Sequence, residues 1–214
     1  MPVHERTQMA AISDDLRTVY ERLYAEASLL TFKWLTYKEL FIGDEQRISL
    51  LDRTARSFFQ VYRDTLLSDV LLSFSRLTDK PKSSKGARIS LRRLQIHLDK
   101  NVDPSFAAKF KALVDKAEQD CFAFRQHRNN EVGHLNMNTI LNSRLYPLPD
   151  LTIEQIDEAL KTIQMSLTTY SESMFNESHM FEPMQALRGP SSLIFYLERG
   201  VRCVDENHES QVRN

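Results

Sequence analysis

Glycine is scarce in this chain. Five residues, Gly43, Gly86, Gly133, Gly189 and Gly200, serve 214 positions, about a third of the usual frequency of roughly 7%. Loops that cradle phosphates need two or three glycines within about eight residues, and only Gly189 and Gly200 lie within forty residues of each other. The sequence therefore holds no Walker loop and no dinucleotide-binding GxGxxG. Turn-dense sandwiches and barrels draw on glycine for tight turns and are disfavoured for the same reason. Leu occurs 27 times against 20 for Val and Ile together, which favours helix over strand. The predicted class is all-α.

The net charge of −1 says nothing about partners, so electrostatic inference has to come from local patterning. Cys121 and Cys203 have no metal-ligand spacing and read as free thiols of a reducing compartment. No apolar run approaches the ~18 residues of a membrane span, and the opening MPVHERTQMA lacks the apolar stretch of a signal peptide. The expectation is a cytoplasmic protein without membrane association.

Hydrophobic spacing predicts four long amphipathic helices. The first carries Leu16, Tyr20, Leu23, Ala27, Leu30, Trp34, Tyr37 and Phe41, and Gly43 stops it. The second carries Phe58, Tyr62, Leu66, Val70, Phe74 and Leu77 inward. A loop, DKPKSSKGA, follows, with a short helix starting from Ser90 as N-cap. Asp103 and Pro104 start the third long helix, with Phe106, Phe110, Leu113, Ala117, Cys121 and Phe124 inward. Thr152 and Gln155 have capping-box spacing and start the fourth. Its inward face is Ile153, Ile156, Leu160, Ile163, Leu167, Tyr170 and Met174. These features predict an up-down bundle of four long helices with short accessory helices. One domain is expected over 12–199, with 200–214 a polar, flexible tail.

Charge is unevenly placed. Arg76, Lys80, Lys82, Lys85, Arg88, Arg92 and Arg93 fall within eighteen residues with one acid, Asp79, whereas 150–182 holds seven acids and only Lys161. The basic run is either a solvated face or a phosphate-binding one. Arg76 and Asp79 either form an ion pair closing the second helix or line a site.

The string RQHRNNEVGH places Arg128, Asn129 and His134 at the end of the third helix. A guanidinium can hold two phosphate oxygens, and an imidazole exchanges protons near neutral pH. On a regular helix, six residues at ~100° each leave Arg128 and His134 about 120° apart. Two solutions follow: the helix breaks near Gly133, or a second copy of the chain completes the site across a two-fold axis. The bland alternative is a capped helix end with both side chains solvated. His127, Glu131 and His134, at i, i+4 and i+7, would share a face and could hold a metal. A di-iron bundle needs a second Glu-x-x-His, however, and only Glu131 to His134 has that spacing. No metal or cofactor is expected.

RNNEVGH resembles the RN-x(4)-H motif of HEPN domains. LLSFSRLTDK (71–80) and ISLRRL (89–94), placed before it, resemble the AbiU-like abortive-infection branch of that superfamily. The similarity runs from about Leu16 to Leu197. The resemblance implies a HEPN-like all-α bundle that forms a homodimer around a composite cleft. Its implied activity is a metal-independent endoribonuclease leaving 2′,3′-cyclic phosphate ends, serving phage defence or toxin-like growth control. An antitoxin or regulatory protein is a possible partner of such a chain. By position, Arg128 would bind and orient the scissile phosphate, His134 would transfer protons, and Asn129 would orient them or contact the phosphate. Asp79, Arg76 and Glu131 would surround the site, where a carboxylate such as Glu131 favours a protonated imidazole. Lys80, Lys82, Lys85, Arg88, Arg92 and Arg93 would bind RNA. The superfamily also includes non-catalytic members that bind RNA, nucleotides or proteins, which is the alternative function.

Overall fold

The computed structural model describes residues 3–83, 86–98, 102–133, 136–137, 144–145, 147–179, 181 and 189–212. The elements in order are α1 (Val3–Phe41), α2 (Glu45–Thr78), β1 (Lys82–Ser83), β2 (Gly86–Ala87), α3 (Leu91–Ile96), α4 (Pro104–Asp120) and α5 (Phe122–His127). A π-helical turn (Arg128–Val132), α6 (Ile153–Phe175) and α7 (Pro190–Val212) complete them. The class is all-α. The only pairing of strands among the described residues is the two-residue antiparallel hairpin of β1 with β2, Lys82 opposite Ala87 and Ser83 opposite Gly86. No helix of the described residues is long and apolar enough to cross a membrane.

The chain forms two compact units, Met1–Thr31 with Leu71–Glu182 and Phe32–Val70 with Pro183–Asn214. In the first, the predicted periodicity holds at most positions, although Ile153, expected inward at the start of α6, is 38% exposed. Tyr20, Leu23, Ala27 and Leu30 of α1 are buried, as are Val70's neighbours Leu71, Phe74 and Leu77 of α2. Ile156, Leu160, Ile163, Leu167 and Tyr170 of α6 are buried too. Rings join the helices: Tyr20 stacks on Tyr170 with centroids 5.7 Å apart, Tyr170 meets Phe110 at 5.2 Å, and Phe74 meets Phe124 at 4.8 Å. Aromatic pairs of this kind add about 0.5–1.5 kcal/mol to what area burial supplies.

Local chemistry sets the helix starts. The Asp103 carboxylate accepts from the amides of Ser105 and Phe106, with Pro104 at the first helical position. Thr152 and Gln155 form a reciprocal capping box at α6. Ser90 has extended N-cap backbone before α3, but its side chain makes no capping hydrogen bond. On α4, Val114 is buried and Leu113 only half-buried.

In the second unit, Trp34 and Leu40 of α1 and Leu51, Phe59 and Leu66 of α2 are buried. Lys33 pairs with Asp69 at 2.8 Å and Arg53 with Asp205 at 3.1 Å. Two expectations need correction here. Phe58 and Tyr62 do not face inward: Phe58 is 62% exposed, and Phe59 takes the buried position. The backbone leaves helical geometry at Ala55 (φ −159°, ψ 63°), so one periodic phase does not run through α2. Thr54 Oγ1 donates to the carbonyls of Leu50 and Leu51 just before that point, a side-chain bond that bends helices. The segment from Gly200 is also helical, because α7 runs from Pro190 to Val212. Its polar composition suits a helix with a solvated face as well as a coil.

Candidate functional site at Arg128

The site is assembled in the first unit where the end of α2 meets α5. Arg125 fixes that junction by donating from Nη1 to Thr78 Oγ1 at 2.9 Å and from Nη2 to the Glu118 carbonyl. Thr78 is the last residue of α2, so Asp79 is carried to the start of the π-helical turn.

Regular α-helical geometry ends at His127. The Gly133 amide donates to the Arg128 carbonyl, five residues back, at 2.7 Å. The wider turn is a helix interruption of the kind found at functional sites. The π-helical turn lies just before Gly133, where the sequence places the expected break of the helix. Gly133 itself has ordinary right-handed backbone (φ −89°, ψ −27°), so no glycine-only conformation is required. His134 lies outside the described residues, as does Lys85.

Arg128 donates from Nη1 to Asp79 Oδ2 at 2.9 Å and from Nε to Asn129 Oδ1 at 3.0 Å. Arg88, just past β2, donates from Nη1 to the same Asp79 oxygen at 3.0 Å. Side-chain exposure rises from 13% at Asp79 to 20% at Arg128 and 46% at Arg88. The carboxylate is thus the inner member, with two guanidinium groups on its solvent side. Asp79 pairs with Arg128 and Arg88, and the ion pair expected between Arg76 and Asp79 is not formed. Arg76 instead reaches Glu26 of α1 at 3.4 Å.

His127 and Glu131 occupy one side of the π-helical turn. His127 Nδ1 lies 3.0 Å from Glu131 Oε2, and Nε2 lies 2.7 Å from the Pro149 carbonyl. Both ring nitrogens of His127 face acceptor oxygens of the protein. Among the described residues, no group of three or more His, Cys, Asp or Glu is placed to hold a metal ion. On the other side, Asn130 donates to the Gln126 carbonyl at 2.8 Å and accepts from Asn136 Nδ2 at 3.1 Å.

The basic segment divides by role. Lys80 and Lys82 are exposed, Arg93 is half-buried with an interaction of its own, and Arg88 joins Arg128. Arg92 is built into the packing of α3 on α4. It donates to both oxygens of Glu118 at 2.9 and 2.8 Å, to Asp115 Oδ1 at 2.6 Å and to Gln95 Oε1 at 3.0 Å. Its hydrogen bonds to Glu118 and then to Asp115 raise its pKa above the usual arginine value. Asp115 is lowered in turn by Lys111 first and Arg92 second. A guanidinium saturated by two carboxylates has little left to offer a phosphate. Charge density in the sequence could not separate Arg88 from Arg92, because their partners come from elements 9 and 26 residues away.

The arrangement suits binding of an oxyanion. Among the described residues the Arg128 guanidinium donates from Nε and Nη1, and Nη2 donates no hydrogen bond. Residues 13–189 match the family model described as AbiU2, a HEPN family. No curated protein and no solved structure matches the sequence.

Proposed function

The chain belongs to the AbiU2 family of HEPN domains, an abortive-infection family, and on that premise we propose that it is a metal-independent endoribonuclease. The observation that carries the proposal is the Arg128 guanidinium held by Asp79 and Asn129 at a widened helical turn. Arg128 binds the scissile phosphate and stabilises the charge that grows on it as the RNA 2′-oxygen attacks. His134 moves the protons: one leaves the 2′-hydroxyl, and one reaches the departing 5′-oxygen. Products then carry 2′,3′-cyclic phosphate ends. Asn129 orients the guanidinium, and Asp79 positions it. Glu131 acts on His127 in this reading, at the edge of the site.

The proposed working form is a cytoplasmic homodimer with two such motifs in one cleft, so that two copies of His134 divide the acid and base roles. In this reading 12–199 is one HEPN-like domain, of which the family match covers 13–189. Exposed Lys80 and Lys82 extend the RNA-binding surface. An antitoxin or regulatory protein would hold the activity in check.

The test is incubation of purified protein with mixed RNAs in EDTA, beside Arg128→Ala and His134→Ala. Cleavage by the wild type alone, with cyclic-phosphate ends, is the expected result. Intact RNA with all three proteins, together with salt-sensitive binding, would instead identify a non-catalytic RNA-binding module.

A further inference from the structure

We propose that Arg88 is a second RNA-contacting residue of the Arg128 site and grips the phosphate next to the one Arg128 holds. The site would then read a chain of at least two successive phosphates rather than an isolated phosphodiester. This rests on the proposed RNA-directed function of Arg128 and adds the length of substrate the site requires.

Arg88 and Arg128 come from different elements, yet both donate Nη1 to one oxygen, Asp79 Oδ2, at 3.0 and 2.9 Å. Two groups that are each one hydrogen bond from a common atom are at most about 6 Å apart. Such closely placed cations repel unless a carboxylate lies between them, and Asp79 supplies it. The cluster of two cations and one anion retains a net positive charge.

Asp79 is the most buried of the three and Arg88 the most exposed, so the two forks meet at an inner oxygen and Arg88 keeps the larger solvent-facing surface. Arg128 is constrained further, because its Nε is taken by Asn129. Forks that come from different elements and share one oxygen keep separate remaining donors, and on a nucleic-acid strand the next set of anionic oxygens after the phosphate at Arg128 belongs to the neighbouring phosphate. The connection that carries Arg88 is itself held in place, since the Arg88 amide donates to the Pro81 carbonyl at 2.8 Å across the β1–β2 hairpin. Arg88 is therefore presented from a closed loop and not from a free side of a helix.

The test uses full-length protein and two non-cleavable 2′-O-methyl RNAs, an octanucleotide and a dinucleotide with one phosphodiester. Arg88→Ala is expected to weaken octanucleotide binding roughly tenfold, as loss of one charge-assisted contact does. It should also lower the slope of log affinity against log salt by about 0.7 and leave dinucleotide binding unchanged. Arg88→Lys should keep the salt slope while losing part of the affinity, and Arg56→Ala, in the other unit, should change neither. Equal losses on both RNAs, or no loss on the octanucleotide, would overturn the inference. Cleavage of an all-ribose octanucleotide is followed in parallel with EDTA present. If it is cleaved but Arg88→Ala binds normally, the neighbouring-phosphate contact fails and the nuclease reading stands. If the binding pattern appears and no cleavage does, the contact stands and the nuclease reading fails.

Discussion

The Gly133 amide donates to the Arg128 carbonyl oxygen at 2.7 Å, and a side-chain carbon added at Gly133 would lie 3.1 Å from that same oxygen. What distinguishes Gly133 is this close approach and not its backbone, since its φ and ψ are open to any residue. Gly133→Ala should change stability by less than about 1 kcal/mol, because the contact costs what lower backbone entropy returns. RNA cleavage should fall several-fold as the turn carrying Arg128 shifts. Gly133→Val should lose both stability and cleavage. Thermal melts and cleavage rates of the two variants decide it, and a Gly133→Val protein as active as wild type would mean that the contact sets nothing.

Asp79→Asn keeps the shape of the side chain but removes the charge between two guanidinium groups. Stability should fall by about 1–2 kcal/mol, in the range for loss of a charge-assisted hydrogen bond, and kcat should fall more than KM rises. Asp79→Asn with unchanged kcat would show that Arg128 does not depend on Asp79 for its position.

Arg92 and Lys82 should separate stability from RNA affinity. Arg92→Ala is expected to lower the melting temperature and leave RNA binding intact, whereas Lys82→Ala should do the reverse, in proportion to the salt dependence. The Arg92 effect depends on pH. Asp115 has a folded pKa below its ordinary value through Lys111 and Arg92, so its contribution is complete above about pH 4 and is lost as the pH falls through the lower folded value. The stability gap between wild type and Arg92→Ala should narrow in that acid range, as read by denaturant melts from pH 7 to pH 2.5. A gap that widens on acidification would contradict this linkage.

Cys121 is buried against Thr78 and Arg125, and burial pushes its thiol up to about 12. Only a thiolate alkylates readily. Native protein at pH 8 should therefore take up one iodoacetamide, at exposed Cys203, and two in denaturant. Peptide mass spectrometry assigns the sites, and rapid native labelling of Cys121 would show that the junction of α2 with α5 opens easily.

Much of the fold was legible in the residues themselves. Asp103 with Pro104, the Thr152 and Gln155 pair, and the stripes of α1 and α6 rely on contacts within a turn or two, and such short-range chemistry is written directly in spacing. The phase of α2 was less legible. Adjacent Phe58 and Phe59 satisfy periodicity equally well, and the break at Ala55 is marked by neither proline nor glycine. Arg128 and Asn129 could be picked out as a candidate phosphate site from residue type and place. Their surroundings could not be picked out in the same way.

Glycine scarcity, helical periodicity and the RNNEVGH string by themselves determined an all-α chain of the HEPN kind and where its chemistry would be sought. Only the tertiary structure decided that Asp79 serves Arg128 and Arg88, that Arg76 turns to Glu26, and that Arg92 is spent on Asp115 and Glu118. An isolated sequence shows how many charges a segment carries. Which charge meets which depends on how helices far apart in the chain pack, because hydrogen bonding acts over about 3 Å and 49 residues separate Asp79 from Arg128.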